Sequence, residues 1–539
     1  MPSGPAKAAP IELQDGGGQK VLIKSVRFSG ATDLVPEAQL QALVADAIGK
    51  ELDFLGLQSL AERVTAHLKG KGWFLARAYL PRQDITEGNL EIALIAGRLS
   101  QKQPVKVAPT GKITPRIDPA RLQAIADYAL PAGAPAQENA MNRAVLLMSD
   151  LPGLTARARL EPGDQDGETR ILIGVEEDLP QSASLNLANH GSRDTGTAQL
   201  TGNFSFNSPL GRGDQISLSA TASEGTTLAR LAYSVPLGGA LGADGWKLNL
   251  GYTDMRYRVM SASGRANGLE GQSQSTSIGL LYPWLRSRIS NVYLNLSHAR
   301  KELVDHSRTG TLRDKTVAVS ALGLSGDTLD ILGGGGLSTA SLSVTSGRLD
   351  LNWPDDRNAD AGASGYGTAG HYRKLSYSAT RLQKLSGSVT LYASLNGQKA
   401  HKNLDSSEKL YLGGPSGVRA YPGSEGGGDS GAIANLEIRY DWPEVTALGN
   451  LQLQAFYDAG WTQLHHDPRN VPITTATQRN HYGITGAGIG ISLTQPAGHV
   501  IRASYAAKLG SNPGRTAAGL DADSQAKSGR FWLQAMIRF

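Results

Sequence analysis

Asn435-Leu-Glu-Ile-Arg-Tyr-Asp-Trp442 places Leu436, Ile438, Tyr440 and Trp442 at every second position, with Asn435, Glu437, Arg439 and Asp441 between them. Successive side chains of a strand point to opposite faces, so this segment has one greasy face and one charged face. A strand standing between lipid and a wet lumen needs such a pair of faces. A soluble sandwich would instead bury its apolar faces against each other, and the alternation fits both arrangements.

The same texture runs from Pro180 to the last residue, where helical periodicity is absent. Leu248, Leu250 and Tyr252 oppose Asn249 and Gly251; Val292, Leu294 and Leu296 oppose Tyr293, Asn295 and Ser297. At the end Phe531, Leu533, Ala535, Ile537 and Phe539 share a face opposite Trp532, Gln534, Met536 and Arg538. Sixteen such segments follow one another from 182–190 to 530–539, among them 289–301, 312–325 and 338–347. An even count suits a single-chain membrane barrel, as does an average of about 23 residues per strand with its connection. Short turns such as 382–387 alternate with long connections at 256–270 and 398–430. Aromatic ends at Trp246, Tyr282, Trp284 and Trp442 favour the membrane version.

Upstream the period changes. Residues 20–99 read strand–helix–helix–strand–strand: Val21 to Phe28, a helix from Pro36 with Leu40, Leu43, Val44 and Ile48 on one face, a second helix on Leu57, Leu60, Val64 and Leu68 ending at Gly70, then strands Phe74 to Leu80 and Leu90 to Ile95. Residues 100–177 repeat the order, with helices at Arg121 to Leu130 and Met141 to Leu151 and strands at Leu154 to Leu160 and Thr169 to Val175. A pattern that recurs over such a span suggests a duplicated domain. Residues 1–19 are a Gly- and Pro-rich flexible lead-in. Met1 to Lys7 holds no apolar signal core, which leaves a processed chain with an added start Met or a location other than an exported one.

Composition sets the outer bounds. The chain has 539 residues, 65 of them Gly, with no Cys, so disulfide staples and thiolate metal sites are excluded. Mean hydropathy is −0.25, and no run approaches the roughly 18 apolar residues of a membrane helix. The net charge of +5 is spread along the chain without a basic block interleaved with aromatics, so no nucleic-acid partner is expected.

Several motifs are specific in combination. Trp73-Phe-Leu-Ala-Arg-Ala-Tyr-Leu-Pro-Arg-Gln-Asp-Ile85, followed by Gly88 and Leu90, resembles the first polypeptide-transport-associated (POTRA) domain of two-partner secretion transporters. Met141-Asn-Arg-Ala-Val-Leu-Leu-Met-Ser-Asp-Leu-Pro-Gly153 is similar to the second, and Asn189-His-Gly-Ser-Arg193 with Asn207-Ser-Pro-Leu-Gly-Arg-Gly-Asp214 to the first barrel strands. Leu412-Gly-Gly-Pro-Ser-Gly-Val-Arg-Ala-Tyr421 resembles the family's long sixth loop, whose signature reads Val-Arg-Gly-Tyr; here Val418, Arg419, Ala420 and Tyr421 stand at those positions. A Gly at the tip can take a positive φ that Ala420 resists. Phe456-Tyr-Asp458-Ala-Gly460 is similar to the family's partner motif on the barrel wall.

The resemblance, to the outer-membrane TpsB proteins (ShlB/FhaC/HecB-like) of the Omp85 superfamily, covers residues 20 to 539. It implies a 16-stranded antiparallel transmembrane barrel over 178–539, preceded by two small α/β POTRA domains over 20–99 and 100–177. It implies a monomer in outer-membrane lipid, with the POTRA domains in the periplasm. The partner it implies is a secreted adhesin- or haemolysin-like exoprotein with an N-terminal secretion domain, threaded unfolded through the lumen without ATP. In the family a plug helix often precedes the first POTRA domain; residues 1–19 carry no apolar periodicity and are short for that helix plus its linker.

Parity supports the loop contact independently of the resemblance. Leu451, Leu453, Ala455 and Tyr457 face lipid, so Gln452, Gln454, Phe456 and Asp458 face the lumen. A carboxylate there needs a partner or water, and Arg419 offers a planar fork; the alternative is an ordinary loop charge and a hydrated carboxylate. For the exoprotein, a POTRA sheet offers an unpaired edge to which a strand can add. Phe74, Leu75 and Leu80 lie on the strand expected to contribute, although alternate positions must face the domain's own core.

The remaining candidates are weaker. Gly486-Ala-Gly-Ile-Gly490 lies inside a strand, where glycines serve packing rather than phosphate binding. Gly211-Arg-Gly-Asp214 falls at a periplasmic turn, and His465-His466 has no evident third metal ligand. No nucleophile–base–orienter set emerges, so neither an enzyme nor a cofactor is expected. An assembly factor of the Omp85 superfamily and a barrel enzyme such as a lipase are the rival readings.

Overall fold

A computed structural model describes residues 20–111, 115–163, 168–442, 448–469 and 471–539. It falls into two compact units: residues up to 108 with 129–144 and 157–174, and residues 109–128 and 145–156 with 175–539. The lead-in at 1–19 lies outside the described residues.

In the first unit the long helix Phe54–Gly70 starts where the Asp53 carboxylate accepts the Gly56 N–H at 2.8 Å, capping one of the donors that a helix start leaves free. Leu57, Leu60, Ala61, Val64 and Leu68 form its buried stripe. They pack with Ile23, Val26, Leu40, Val44, Leu90 and Ile92 in one core. The sheet runs Ser25–Gly30, Asn89–Ile95, Arg77–Tyr79, with the first pair parallel and the second antiparallel.

Three expectations change here. The first strand breaks into Val21–Leu22, which pairs with Glu51–Leu52, and Ser25–Gly30. The first helix ends at Val44, and the 3-10 turn Ala45–Ala47 swings Ile48 out to 47% exposure. The expected strand Phe74 to Leu80 shortens to Arg77–Tyr79.

Residues 100–177, read as one domain, are shared between the two units. Helices Pro119–Ala129 and Glu138–Ser149 and strands Leu154–Pro162 and Glu168–Glu177 are present, and a further strand, Val105–Pro109, joins the same sheet. Its five residues are too few to display a period. Within the second unit, Asp150 of the Met141–Gly153 segment holds the Arg286 guanidinium by two bonds of 2.8 Å and accepts the Lys247 ammonium at its carbonyl, 2.6 Å away.

Downstream, sixteen antiparallel strands close into a barrel, the first (Gln181–Ala188) pairing with the sixteenth (Gly529–Arg538). Closure leaves no strand edge, the condition lipid imposes on a sheet. The outward rows are the expected apolar ones: Leu436 and Ile438 on the twelfth strand (Ser430–Asp441) are about half exposed, as are Tyr457 and Trp461 on the thirteenth (Asn450–Gln463). Trp246 stacks on Tyr282, with centroids 4.6 Å apart, near one rim.

The seventh to ninth strands run longer than the alternation suggests: Ser290–Ser307, Gly310–Asp330 and Gly336–Leu351. An apolar band about 25 Å tall needs only part of that length. The seventh strand's outer end carries charge on both faces (Lys301, Glu302, Asp305). The ninth reverses the alternation there, with Arg348 and Asp350 outward and Leu349 and Leu351 inward. The eighth runs on mainly at its opposite end, through residues 326–330.

Candidate functional site

The segment between the eleventh strand (Val389–Ala400) and the twelfth returns to the barrel wall. Leu412, Val418, Ala420 and Tyr421, none of them exposed, pack with Ile433, Phe456, Tyr482, Ile484 and Ala506 of the inner wall. Arg419 lies at the centre. Its Nε and Nη2 donate to the two oxygens of Asp458 at 2.9 and 2.7 Å, and its own backbone N–H adds a third bond at 3.0 Å. The remaining arm donates to Glu437 Oε1 at 2.7 Å, and the guanidinium lies over the Phe456 ring, 3.4 Å from its centroid. Asp458 is fully buried and Arg419 is 7% exposed.

A buried charge pair costs desolvation and persists only when its remaining donors and acceptors are satisfied. Here Asn435 Nδ2 donates to Asp458 at 2.8 Å and to the Gly417 carbonyl at 2.9 Å. Arg439 supports Glu437 at 2.8 Å, and Trp532 Nε1 donates to the Arg419 carbonyl at 2.8 Å. Asn435 and Glu437 are legible as lumen-facing from their parity in the opening segment, but nothing in the sequence couples them to Arg419. Trp532, a lone indole on the wet face of the last strand, was the overlooked signal. A polar cavity of about 330 Å3 adjoins the pair, lined by Glu437, Arg439, Gln452, Gln454 and Arg502.

Glycines let the loop come this close. A Cβ at Gly460 would lie 3.0 Å from Val418 Cγ2, and one at Gly486 would lie 2.7 Å from Ala420 Cβ. A Cβ at Gly488 would meet the Phe456 ring at 2.5 Å. The Gly486–Gly490 run thus vacates the wall opposite the loop tip. Ala420 is not among the residues with positive φ, so the methyl in place of the family's Gly brings no strain of that kind and fills the space over Gly486.

A second anchorage, not foreseen, joins the loop to Lys301, Lys315 and Lys374 on other strands of the wall. The loop's Asp405 accepts the Lys315 ammonium at 2.9 Å on both oxygens, and Glu408 takes Lys301 at 2.7 Å and Lys374 at 2.9 Å. Burial pushes both carboxyls up. Lys315 and Ser407 outweigh it at Asp405, Lys374 and Lys301 at Glu408, and both end below their ordinary values. Lys409 pairs with Asp429 at 3.1 Å, closing the base of the loop.

The weaker candidates resolve into packing. Asp214 caps its own turn and accepts the Tyr233 hydroxyl at 3.0 Å. His465 stacks on Tyr366 at 3.8 Å, and burial, with Lys409 nearby, pushes it down to about 4. No metal-ligating cluster occurs among the described residues.

On the POTRA side, Phe74 and Leu75 lie in a turn ahead of the edge strand and Leu80 just past it, packed against the core. The edge itself is not open: Ala78 N–H donates to the Thr65 hydroxyl at 2.9 Å, and that hydroxyl lies 3.3 Å from the Ala78 carbonyl. Arg77 and Tyr79 are the side chains it exposes.

A profile of haemolysin secretion/activation proteins, ShlB/FhaC/HecB, matches residues 167–493, and one of ShlB-type POTRA domains matches residues 21–97. The chain belongs to the ShlB/FhaC/HecB family. Heme/hemopexin transporter protein HuxB of Haemophilus influenzae strain 86-028NP is 25% identical over 93% of this chain and 84% of its own length. Outer membrane transporter CdiB of Escherichia coli O6:K15:H31 is 25% identical over 92% and 81%. Among solved structures, CdiB from E. coli superposes with a TM-score of 0.74 at 21% identity, covering 99% of this chain and 93% of that one. BamA from Haemophilus ducreyi lacking POTRA domains 1–3 superposes with a TM-score of 0.52 at 15% identity, covering 96% of this chain and all of that one. This ShlB-family protein is accordingly a two-partner secretion transporter of the outer membrane, with its POTRA portion in the periplasm; it is not an enzyme.

Proposed function

We propose that this transporter captures the N-terminal secretion domain of one exoprotein at its POTRA portion and passes it unfolded through the barrel lumen, with the loop 401–429 as the gate. Residues 20–99 and 100–177 act as two POTRA domains, and a single chain in outer-membrane lipid forms the whole conduit. The reading rests chiefly on one observation: the loop tip is buried on the inner wall through a charged residue, Arg419, and not through apolar contacts alone. An ionic anchor can exchange its partners for water when the loop moves, which a purely apolar plug does at greater cost.

No nucleotide-binding motif is present in the sequence, and on the family resemblance it is folding of the exoprotein outside the cell that supplies directionality. The related proteins include a heme/hemopexin transporter and a hemolysin transporter, which supports a haemolysin-like exoprotein as cargo. The cargo's extended segment adds to the edge at Arg77–Tyr79, where Phe74 and Leu75 extend the contact surface and Leu80 supports it from the core.

The chain lacks Cys, so a designed pair reports on the gate without background. Val418→Cys with Gly460→Cys should link the loop tip to the wall. Secretion of the co-expressed exoprotein should stop under oxidation and return on reduction. Secretion that continues with the cross-link formed would exclude loop movement from the transport cycle.

A further inference from the structure

The outer wall of the seventh to eleventh strands, away from the gate, carries a layered arrangement that the secretion reading does not use. Its tenth strand spans Gly370–Lys384. Register aligns Leu296, Leu322, Val344, Leu375 and Lys399 in one outward row. The next row towards the external loops holds His298, Ser320, Ser346 and Arg373, and the one beyond it Arg300, Ala318, Arg348 and His371. Only in the row after that do carboxylates appear, at Glu302 and Asp350.

The inward neighbours Val317, Leu349, Tyr372 and Ala400 are buried in a lumenal cluster, which fixes the cations on the opposite, outer face. Arg300, Arg348, Arg373 and Lys399 are all exposed. Glu302 pairs with Arg300 at 3.0 Å and Asp350 with Arg348 at 2.9 Å. Arg373 and Lys399, nearest the leucines, make no ion pair among the described residues. The layering is local. The outward rows of the first four strands and of the twelfth to sixteenth contain no Lys or Arg among the described residues.

Cations at the edge of an apolar band and just above it, with carboxylates one step farther out, form a field whose positive side faces the headgroup level. With strands about 4.8 Å apart, the four cations fall within roughly 20 Å of one another, a span that one lipid headgroup and its neighbour cover. Anionic headgroups attract basic residues at this depth, and the long Arg and Lys stems can lie along the leucines while their charged ends reach the phosphates. The external loops lie at this end of the strands, so the leaflet is the outer one.

We propose that the outer wall of the seventh to eleventh strands binds phosphorylated lipid headgroups of the outer leaflet through Arg300, Arg348, Arg373 and Lys399. The site depends on the outer-membrane location and not on the gating mechanism, so secretion can fail or persist without deciding it.

The full chain, reconstituted in phosphatidylcholine nanodiscs doped with lipid A or with lipid A stripped of its phosphates, tests this by quantifying the glycolipid that stays with the purified protein. Phosphorylated lipid A should be retained preferentially, and R300Q/R348Q/R373Q/K399Q should lose that retention on the order of tenfold. Single variants R373E and K399E, with circular dichroism confirming a folded barrel, should each lower it severalfold. Equal retention of the two lipids, or retention unchanged in folded variants, would overturn the proposal.

Discussion

Asp458 receives three hydrogen bonds from a single residue, Arg419: two from the guanidinium and one from the backbone N–H. Side chain and main chain of the loop tip are thus held by the same carboxylate, so the tip cannot rotate about the ion pair without breaking it. Removing one partner of a buried pair costs about 3–5 kcal/mol, because the other charge is left uncompensated. Asp458→Asn should therefore release the loop, raising conductance in planar bilayers and exposing residues 412–421 to protease. Arg419→Lys keeps the charge but not the fork, and should fall between wild type and Asp458→Asn. Unchanged conductance and protection in Asp458→Asn would remove the pair from the gate.

Gly486 tests the same contact without altering a charge. Its missing Cβ is where Ala420 packs, so Gly486→Val should push the tip off the wall by overpacking, at a cost of about 1–3 kcal/mol. The expected result is an Asp458→Asn-like pore with the barrel still resistant to unfolding in detergent. A pore like wild type would show that the tip tolerates displacement.

The Lys315–Asp405 and Lys301/Lys374–Glu408 pairs make a pH prediction of definite sign. Both carboxyls sit below their ordinary values in the folded state, so their stabilisation is fully present above the ordinary carboxylate range and is lost as pH falls through the folded values. Conductance should stay flat from neutral pH down to the ordinary carboxylate values and rise below them. Asp405→Asn with Glu408→Gln should show the raised level at neutral pH and flatten the profile. A rise that begins well above the carboxylate range would point to other groups.

Thr65 occupies both outward backbone groups of Ala78, so a cargo strand adding at this edge must displace its hydroxyl. Thr65→Val leaves those groups open for the incoming strand. The isolated secretion domain should bind the full-length transporter about fivefold more tightly, the value of roughly one neutral hydrogen bond. No change in affinity, measured by calorimetry, would place cargo recognition elsewhere on the POTRA surface.

Much of the architecture was legible because a strand's period of two is strict. Leu451, Leu453 and Tyr457 face lipid, and Gln454, Phe456 and Asp458 the lumen, on parity alone. The strand Val105–Pro109 stayed hidden because five residues hold too little pattern. The outer end of the seventh strand stayed hidden because both its faces are charged, and that of the ninth because its polar residues turn outward and its leucines inward. Ile48 was misassigned because a helical spacing continues in the sequence past the point where the backbone tightens into a 3-10 turn.

The sequence alone determined how many strands the barrel has and which face of each is greasy through the apolar band, since both are local properties repeated sixteen times. Tertiary structure alone decided which lumenal groups meet. Arg419 and Asp458 are 39 residues apart, and Asp405 lies 90 from Lys315. Only barrel closure and the return of the loop into it bring such groups within bonding distance. The physical reason is that periodicity specifies a side chain's direction, whereas an ion pair needs a position in space, and that position depends on every strand around the ring.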